Sequence, residues 1–225
     1  MTSLEDIAKS FQTQFEKNET IKSFAEFIEA VKKDPHRHCR NSAEYVKDVF
    51  DHYGSYKVKD ITGEEIRRWK LFDIFEPVFG QEQAQNTIYN YICSFSEKRN
   101  NKIILLHGPN GSAKTSLIAS IMMAMEEYSK LPQGAVFSFN WIFSDSAEHE
   151  VGLGFGKGTT ENEAYNEETL SYTPHEDITF KLVCAMKDNP LLLIPPTERT
   201  AILESVGIKR PHHLYTAELS QKGKE

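Results

Sequence analysis

The clearest capacity for chemistry lies in a short loop that combines glycines with a lysine and a threonine: Gly108, Pro109, Asn110, Gly111, Ser112, Ala113, Lys114 and Thr115. Glycines allow such a loop to curl so that successive backbone N–H groups point inward at phosphate oxygens. Lys114 adds a positive charge that can reach the β and γ phosphates, and the Thr115 hydroxyl can coordinate Mg²⁺. We therefore predict that this loop binds the phosphates of ATP, with Thr115 contributing to the nucleotide's Mg²⁺.

The segments on either side of the loop have the order that phosphate binding requires. Residues 103–106 are apolar without a break, which is typical of a buried strand in a parallel sheet. Residues 117–128 carry an apolar face at helical spacing, and the start of a helix offers free N–H groups and a positive dipole end. This context predicts an α/β fold, a P-loop NTPase (AAA+-like) with a parallel sheet core. The alternative is a glycine-rich turn with an exposed lysine and no ligand.

One residue of the loop departs from the usual pattern, because Ala113 stands where glycine normally precedes the lysine. Alanine fits this position without strain if its backbone is helical. If the position requires a positive φ, alanine costs about 1 kcal/mol or more. The sequence leaves these two conformations open.

An acidic residue at the end of a second strand normally completes such a site, since it holds Mg²⁺ and orients the attacking group. The apolar run Leu191–Ile194 ends in Pro195, and the second predicted strand, 135–143, ends without an acid. Asp145 follows that strand in a polar stretch and is a weak candidate. We therefore assign no catalytic residue, and we expect this chain to be the N-terminal portion of a longer protein with an incomplete ATPase domain.

The remaining chain predicts three regions. Residues 1–54 form a helical N-terminal region, with an opening helix at residues 2–15, a second stripe that ends at Asp34-Pro35 and a third helix that begins after Asn41. Residues 55–80 comprise a linker over 55–60, a short helix over 62–69 and an irregular apolar approach. Residues 81–225 form the partial ATPase domain. Its predicted helices run from Gln81 to about Phe95 and over 197–206, and residues 211–220 are a candidate for one more helix. The acidic, glycine-rich stretch 144–177 contains a predicted mobile loop over 151–168.

Composition narrows the class of protein. The chain has 225 residues and a formal net charge of −7, which excludes a strongly basic nucleic-acid module. It has neither an apolar run near 18 residues nor a secretory signal, so we expect a cytoplasmic protein with no membrane or nucleic-acid partner. Its three cysteines form no metal-binding pair. For residues 35–40, which contain two histidines and Cys39, we favour a solvated turn between helices over a metal site.

Several stretches together resemble one family. They are FEPVFGQEQAQNTI, HGPNGSAKTSL, FSFNWIF and CAMKDNPLLLIPPTERTAIL, which follow the helical N-terminus. The chain resembles the N-terminal part of the PrkA-type serine protein kinases, whose AAA+-like ATPase domain binds ATP. The resemblance implies that Phe79 and Gly80 lie near the adenine, that the partner is a protein substrate, and that homo-oligomers are possible. It also implies that the kinase chemistry lies beyond Glu225.

Two other functions remain open at this point. The loop would also suit another AAA+ ATPase, such as a remodeller or a protease subunit, and nucleotide-dependent oligomers with ATP turnover but no phosphotransfer would favour it. The N-terminal helices could instead make a non-catalytic partner-binding module with a vestigial loop. Absence of nucleotide binding would favour that module.

Overall fold

The computed structural model describes residues 21–59, 62–97, 103–143, 171 and 178–224. Contacts divide the chain into two units, one formed by residues 36–136 and the other by residues 1–35 with 137–225. The described elements, in chain order, are α1 (Phe24–Lys33), α2 (Pro35–Cys39), α3 (Ser42–Tyr53), β1 (Ser55–Lys59), β2 (Glu65–Trp69), α4 (Leu71–Ile74), α5 (Glu82–Ser96), α6 (Lys114–Ser129), β3 (Asn140–Phe143), β4 (Phe180–Val183), α7 (Pro196–Ser205) and α8 (Gln221–Lys224).

The predicted end of α1 at Asp34-Pro35 and the predicted start and end of α3 are confirmed. Ser23 with Glu26 and Asn41 with Glu44 form capping boxes at α1 and α3, in which each side chain bonds the other residue's backbone N–H. Gly54 follows α3 with a φ of 73°, a conformation that glycine adopts without strain. These ends follow the sequence because caps depend on residues only three positions apart.

The predictions of a linker over 55–60 and a helix over 62–69 are wrong. The chain forms an antiparallel hairpin in which β1 pairs with β2, Ser55 opposite Trp69 and Lys59 opposite Glu65. Gly63 lies between the two strands with a φ of 85°. Pairing with β1 supplies the hydrogen bonds that a helix over 62–69 would have made internally, and it turns Trp69 into the core.

The core of the 36–136 unit is aromatic and lies between α3, α5 and α6. The Phe50 ring contacts Trp69 edge-on at 5.3 Å between centroids and Phe72 at 5.9 Å. Tyr89 of α5 lies 4.1 Å from the Trp69 ring centroid. Helix α6 contributes four side chains to this hydrophobic core: Leu117, Ile121, Ala124 and Tyr128. This core therefore holds the helix that begins at Lys114.

The parallel sheet expected around the loop is not found among the described residues. Residues 103–106 form no strand, and Ile103 and Leu105 are 92% and 83% exposed. Of these four residues, Leu106 packs against the core. Of the predicted strand 135–143, residues 140–143 form β3, which pairs antiparallel with β4. The described residues are thus a mixture of helices with two antiparallel pairs of strands.

In the other unit, α7 confirms the predicted helix over 197–206, and Gly207 follows it with a φ of 79°. No long helix forms over 211–220, where the structure has a single 3₁₀ turn at His213–Tyr215. Leu191, Leu203 and Leu214 are buried, and Phe27 of α1 contacts Phe137 edge-on at 5.9 Å.

Three predictions fall outside the described residues: the helix over 2–15, the loop over 151–168, and the position of Asp145. Over the described ranges, no helix has both the length and the apolar character needed to cross a membrane.

The segment 35–40, expected to be a solvated turn, is instead largely the helix α2 and ends in a buried arginine. The Arg40 side chain is 4% exposed, and its guanidinium lies 4.5 Å from the centre of the Tyr45 ring. Its Nη1 donates to Asp48 Oδ2 at 2.8 Å, and its Nη2 donates to the carbonyl oxygen of Gln133 at 3.0 Å. Arg40 therefore ties the start of α3 to the chain that follows α6.

Cys39, next to this arginine, is buried and is a free thiol. Burial, and secondly the Glu44 carboxylate, raise the pKa of Cys39 to about 12. The thiol is therefore protonated at neutral pH, which suits a packing role and not a nucleophilic one.

We expect Arg40→Lys to lower the free energy of unfolding by about 2 kcal/mol, because a lysine ammonium cannot make the planar contacts of a guanidinium with Tyr45, Asp48 and Gln133 together. Urea denaturation measures this change. Arg67→Lys is the matched control, since Arg67 is exposed on β2. Equal stability of the two variants would contradict the role given to Arg40.

Candidate functional site

The loop Gly108–Thr115 leads into helix α6, as the sequence predicts, but the segment 103–107 before it is not the predicted strand. Gly111 has a φ of 80°, and Ala113 has φ 58° and ψ 17°. The helix begins at Lys114, and its first turn contains no acidic side chain. The positive end of the helix dipole therefore lies at the loop and is not neutralised by a carboxylate of that turn.

Lys114 folds back across the loop. Its Nζ donates to the carbonyl oxygens of Gly108, at 2.8 Å, and Pro109, at 2.6 Å. A third hydrogen bond of 3.1 Å joins Nζ to Ser112 Oγ. The side chain is half-buried, so the alternative of a freely exposed lysine does not describe this residue. These three hydrogen bonds hold the ammonium group at the loop.

The other predicted phosphate-binding residues precede or follow Lys114 in the sequence. Asn110, Gly111 and Thr115 are exposed, with Thr115 in the first turn of α6. Exposure leaves the Thr115 hydroxyl accessible to a metal ion carried by a nucleotide. Among the residues that the structure describes, no group of three or more His, Cys, Asp or Glu side chains could hold a metal ion.

Ala113 adopts the left-handed conformation, which settles the question that the sequence leaves open. A residue with a Cβ is strained there by roughly 1–2 kcal/mol, and Ala113 caps α6 without a side-chain hydrogen bond. The strain is maintained because Leu117, one turn later, is locked into the core and its N–H bonds the Ala113 carbonyl at 2.9 Å.

Phe79 and Gly80, predicted to lie near an adenine, form an exposed turn. The Phe79 side chain is 74% exposed, and Gly80 has a φ of 74°. The Arg68 guanidinium lies 4.4 Å from the Phe79 ring centroid. One face of the ring thus contacts a cation, while most of its surface remains open to solvent.

Arg68 itself is a buried cation that the sequence analysis did not identify. It is 4% exposed, and its Nε donates to Asp73 Oδ1 at 2.7 Å. Its other nitrogens donate to Glu82 and, at 3.0 Å, to the Val78 carbonyl oxygen. Two carboxylates compensate the charge, so that the guanidinium can hold the backbone immediately before Phe79.

The approach segment and the loop are attached to the same helix. Ser120 Oγ donates to the Glu76 carbonyl oxygen at 2.9 Å, and Ser120 follows Lys114 by six residues on α6. Six residues span about 9 Å along a helix axis. Gln85 Nε2, fully buried in α5, donates to the Val78 carbonyl oxygen at 3.4 Å. Neither Ser120 nor Gln85 belongs to a recognisable motif, so sequence reasoning had no signal for them.

We expect Ala113→Gly to raise the free energy of unfolding by about 1 kcal/mol, because glycine adopts a φ near 58° without strain. Thermal denaturation measures the change. Ala119→Gly is the matched control: it lies inside α6, where the same replacement should lower the free energy of unfolding by about 1 kcal/mol. A destabilised Ala113→Gly variant would mean that the left-handed conformation at 113 is wrong.

A comparison with protein families places most of this region in a known domain family. The model of the PrkA AAA domain matches residues 22–153, a range that includes the loop, helix α6 and the Phe79–Gly80 turn. No curated protein and no solved structure matched the chain. The matched range covers more than half of the 225 residues and confirms the resemblance inferred from the sequence. The chain belongs to the PrkA AAA domain family.

Proposed function

We propose that this chain is the ATP-binding N-terminal part of a PrkA-like serine protein kinase, and that Gly108–Thr115 hold the phosphates of the nucleotide. Membership of an AAA family implies nucleotide binding. The observation that carries the proposal is the position of the Lys114 ammonium group, which is tethered to two carbonyls of the loop at the start of α6.

Each part of the loop has a task in this proposal. The backbone N–H groups at the start of α6 donate to phosphate oxygens, helped by the positive end of the helix dipole. Lys114 neutralises part of the charge on the β and γ phosphates. Mg²⁺, when bound with ATP, neutralises more of this charge, and the Thr115 hydroxyl is the loop's ligand for it.

Phe79 supplies a surface for the adenine. Its ring is largely exposed, and the Arg68 contact fixes the ring's orientation without covering it. An aromatic ring held in this way can stack on a base, and Gly80 beside it lets the base approach the backbone. The anchoring of Glu76 to Ser120 gives this surface a fixed distance from the loop.

We expect Lys114→Ala to weaken the affinity for Mg·ATP at least tenfold, because it removes charged hydrogen bonds worth about 1.5–3 kcal/mol each. Isothermal titration calorimetry measures the affinity. Lys130→Ala is the matched control, since Lys130 follows the other end of α6 and pairs with Glu127 at 2.6 Å. Thermal melting establishes that both variants are folded, and unchanged affinity in folded Lys114→Ala protein would reject the proposal.

We also expect the 225-residue chain to bind ATP with little or no turnover. Phosphoryl transfer depends on metal ions held by acidic ligands and on a residue that orients the nucleophile, and we assign no such residue here. Radiolabelled ATP measures both phosphate release and transfer to a serine-containing protein substrate. Turnover that disappears in Lys114→Ala would reveal an overlooked catalytic acid. Asp145→Asn would then test the acid that follows the predicted strand 135–143 in the sequence.

A further inference from the structure

The side chain of Ser112 is turned into the loop. Its Oγ donates to the Pro109 carbonyl oxygen at 2.8 Å and accepts the hydrogen bond of 3.1 Å from Lys114 Nζ. A Cβ placed on Gly108 would lie only 2.8 Å from this Oγ. The hydroxyl therefore fills the space beside Gly108, and the glycine leaves room for it.

Three acceptors surround the ammonium group of Lys114 in this arrangement: Gly108 O, Pro109 O and Ser112 Oγ. The Pro109 and Ser112 oxygens lie only 2.8 Å apart, on one side of the group. A phosphate oxygen that approaches the ammonium group therefore competes with these acceptors for its three N–H donors. The bond to Ser112 is the longest of the three, and it is the one whose acceptor sits on a side chain that can rotate away.

We propose that the Ser112 hydroxyl competes with the nucleotide's phosphates for Lys114: it is a positioning residue that holds the lysine against the loop and lowers the affinity for ATP. The inference rests on the proposed function, because it names a control on that same site. The carbonyls of Gly108 and Pro109 keep the ammonium group in place while a phosphate oxygen replaces Ser112 Oγ as its acceptor.

The variant that tests this competition is Ser112→Ala, and Ser129→Ala is the matched control. Ser129 lies at the far end of α6, where its Oγ donates to the Glu126 carbonyl oxygen at 2.6 Å. Both variants lose one hydroxyl, but only Ser112→Ala removes an acceptor of the Lys114 ammonium group. Thermal melting of all three proteins establishes that they are equally folded.

The first measurement needs no nucleotide. Acylation of lysine amines by an N-hydroxysuccinimide ester, located by mass spectrometry, reports how firmly each ammonium group is held. We expect Lys114 in Ser112→Ala to react at least twofold faster than in the wild-type protein or in Ser129→Ala. An unchanged rate would overturn the hydrogen bond on which the proposal stands.

The second measurement compares affinities for ATP, inorganic tripolyphosphate and adenosine. A hydrogen bond to a charged group corresponds to about a ten- to hundredfold change in affinity. We expect Ser112→Ala to bind ATP and tripolyphosphate more tightly by that factor, with adenosine unaffected, because the competition concerns the phosphates alone. A general structural effect would change adenosine binding as well.

The possible outcomes separate this inference from the proposed function. Weaker or equal ATP binding by Ser112→Ala, with normal binding by the wild-type protein, would overturn the competition and leave the proposed function standing. Weaker binding would show that the hydroxyl itself donates to a phosphate. Failure of both proteins to bind ATP would overturn both, while the acylation rates would still report on the hydrogen bond.

Discussion

The hydrogen bonds from the Lys114 ammonium group to the carbonyl oxygens of Gly108 and Pro109 close the loop on which the proposed function depends. They join its first two residues to the first residue of α6 and fix where the lysine charge lies. Helix α6 in turn is fixed by four buried side chains in the aromatic core. The site is thus an extension of a packed helix and does not rely on the loop's own residues for its position.

Two buried arginines carry much of the polar organisation of the 36–136 unit. Arg40 contacts two tyrosine rings and bonds Asp48, while Arg68 bonds Asp73 and Glu82. Burying a cation is costly unless carboxylates and carbonyl oxygens replace its water. Each arginine bonds a carboxylate and a backbone carbonyl oxygen, so each fixes a part of the backbone that apolar contacts leave free. Arg68 holds the backbone next to Phe79, and Arg40 holds the chain that follows α6.

Local signals in the sequence predict local structure well here. The capping boxes of α1 and α3, the glycines after helices and the loop-to-helix junction at Lys114 all depend on residues a few positions apart. The sequence predicts a linker and a helix where the hairpin β1–β2 forms, because strand pairing depends on a partner that local spacing does not reveal. The apolar run 103–106 predicts burial, but a strand needs at least one neighbouring strand, and no described residue pairs with it.

The same contrast between local signals and contacts with distant residues applies to the candidate site. The type and order of the residues Gly108–Thr115 predict a phosphate-binding loop, and that binding stays a prediction; the family match supports nucleotide binding by the domain as a whole. The left-handed backbone of Ala113 could not be predicted. Alanine adopts a helical backbone without strain, and it tolerates a left-handed one at a cost of about 1 kcal/mol. Arg68, Gln85 and Ser120 hold the segment before Phe79 through hydrogen bonds to the carbonyl oxygens of residues 76 and 78. No pattern of side chains in the sequence encodes such bonds.

The most direct measurement of the central claim is an NMR titration of the ¹⁵N-labelled chain with a non-hydrolysable ATP analogue and Mg²⁺. The account predicts that the largest and saturable changes in amide shift fall on residues 111–116, because their N–H groups surround the phosphates at the start of α6. A second, smaller set is expected at residues 79 and 80. Saturable changes confined to other parts of the chain, with the amides of 111–116 unmoved, would contradict the account.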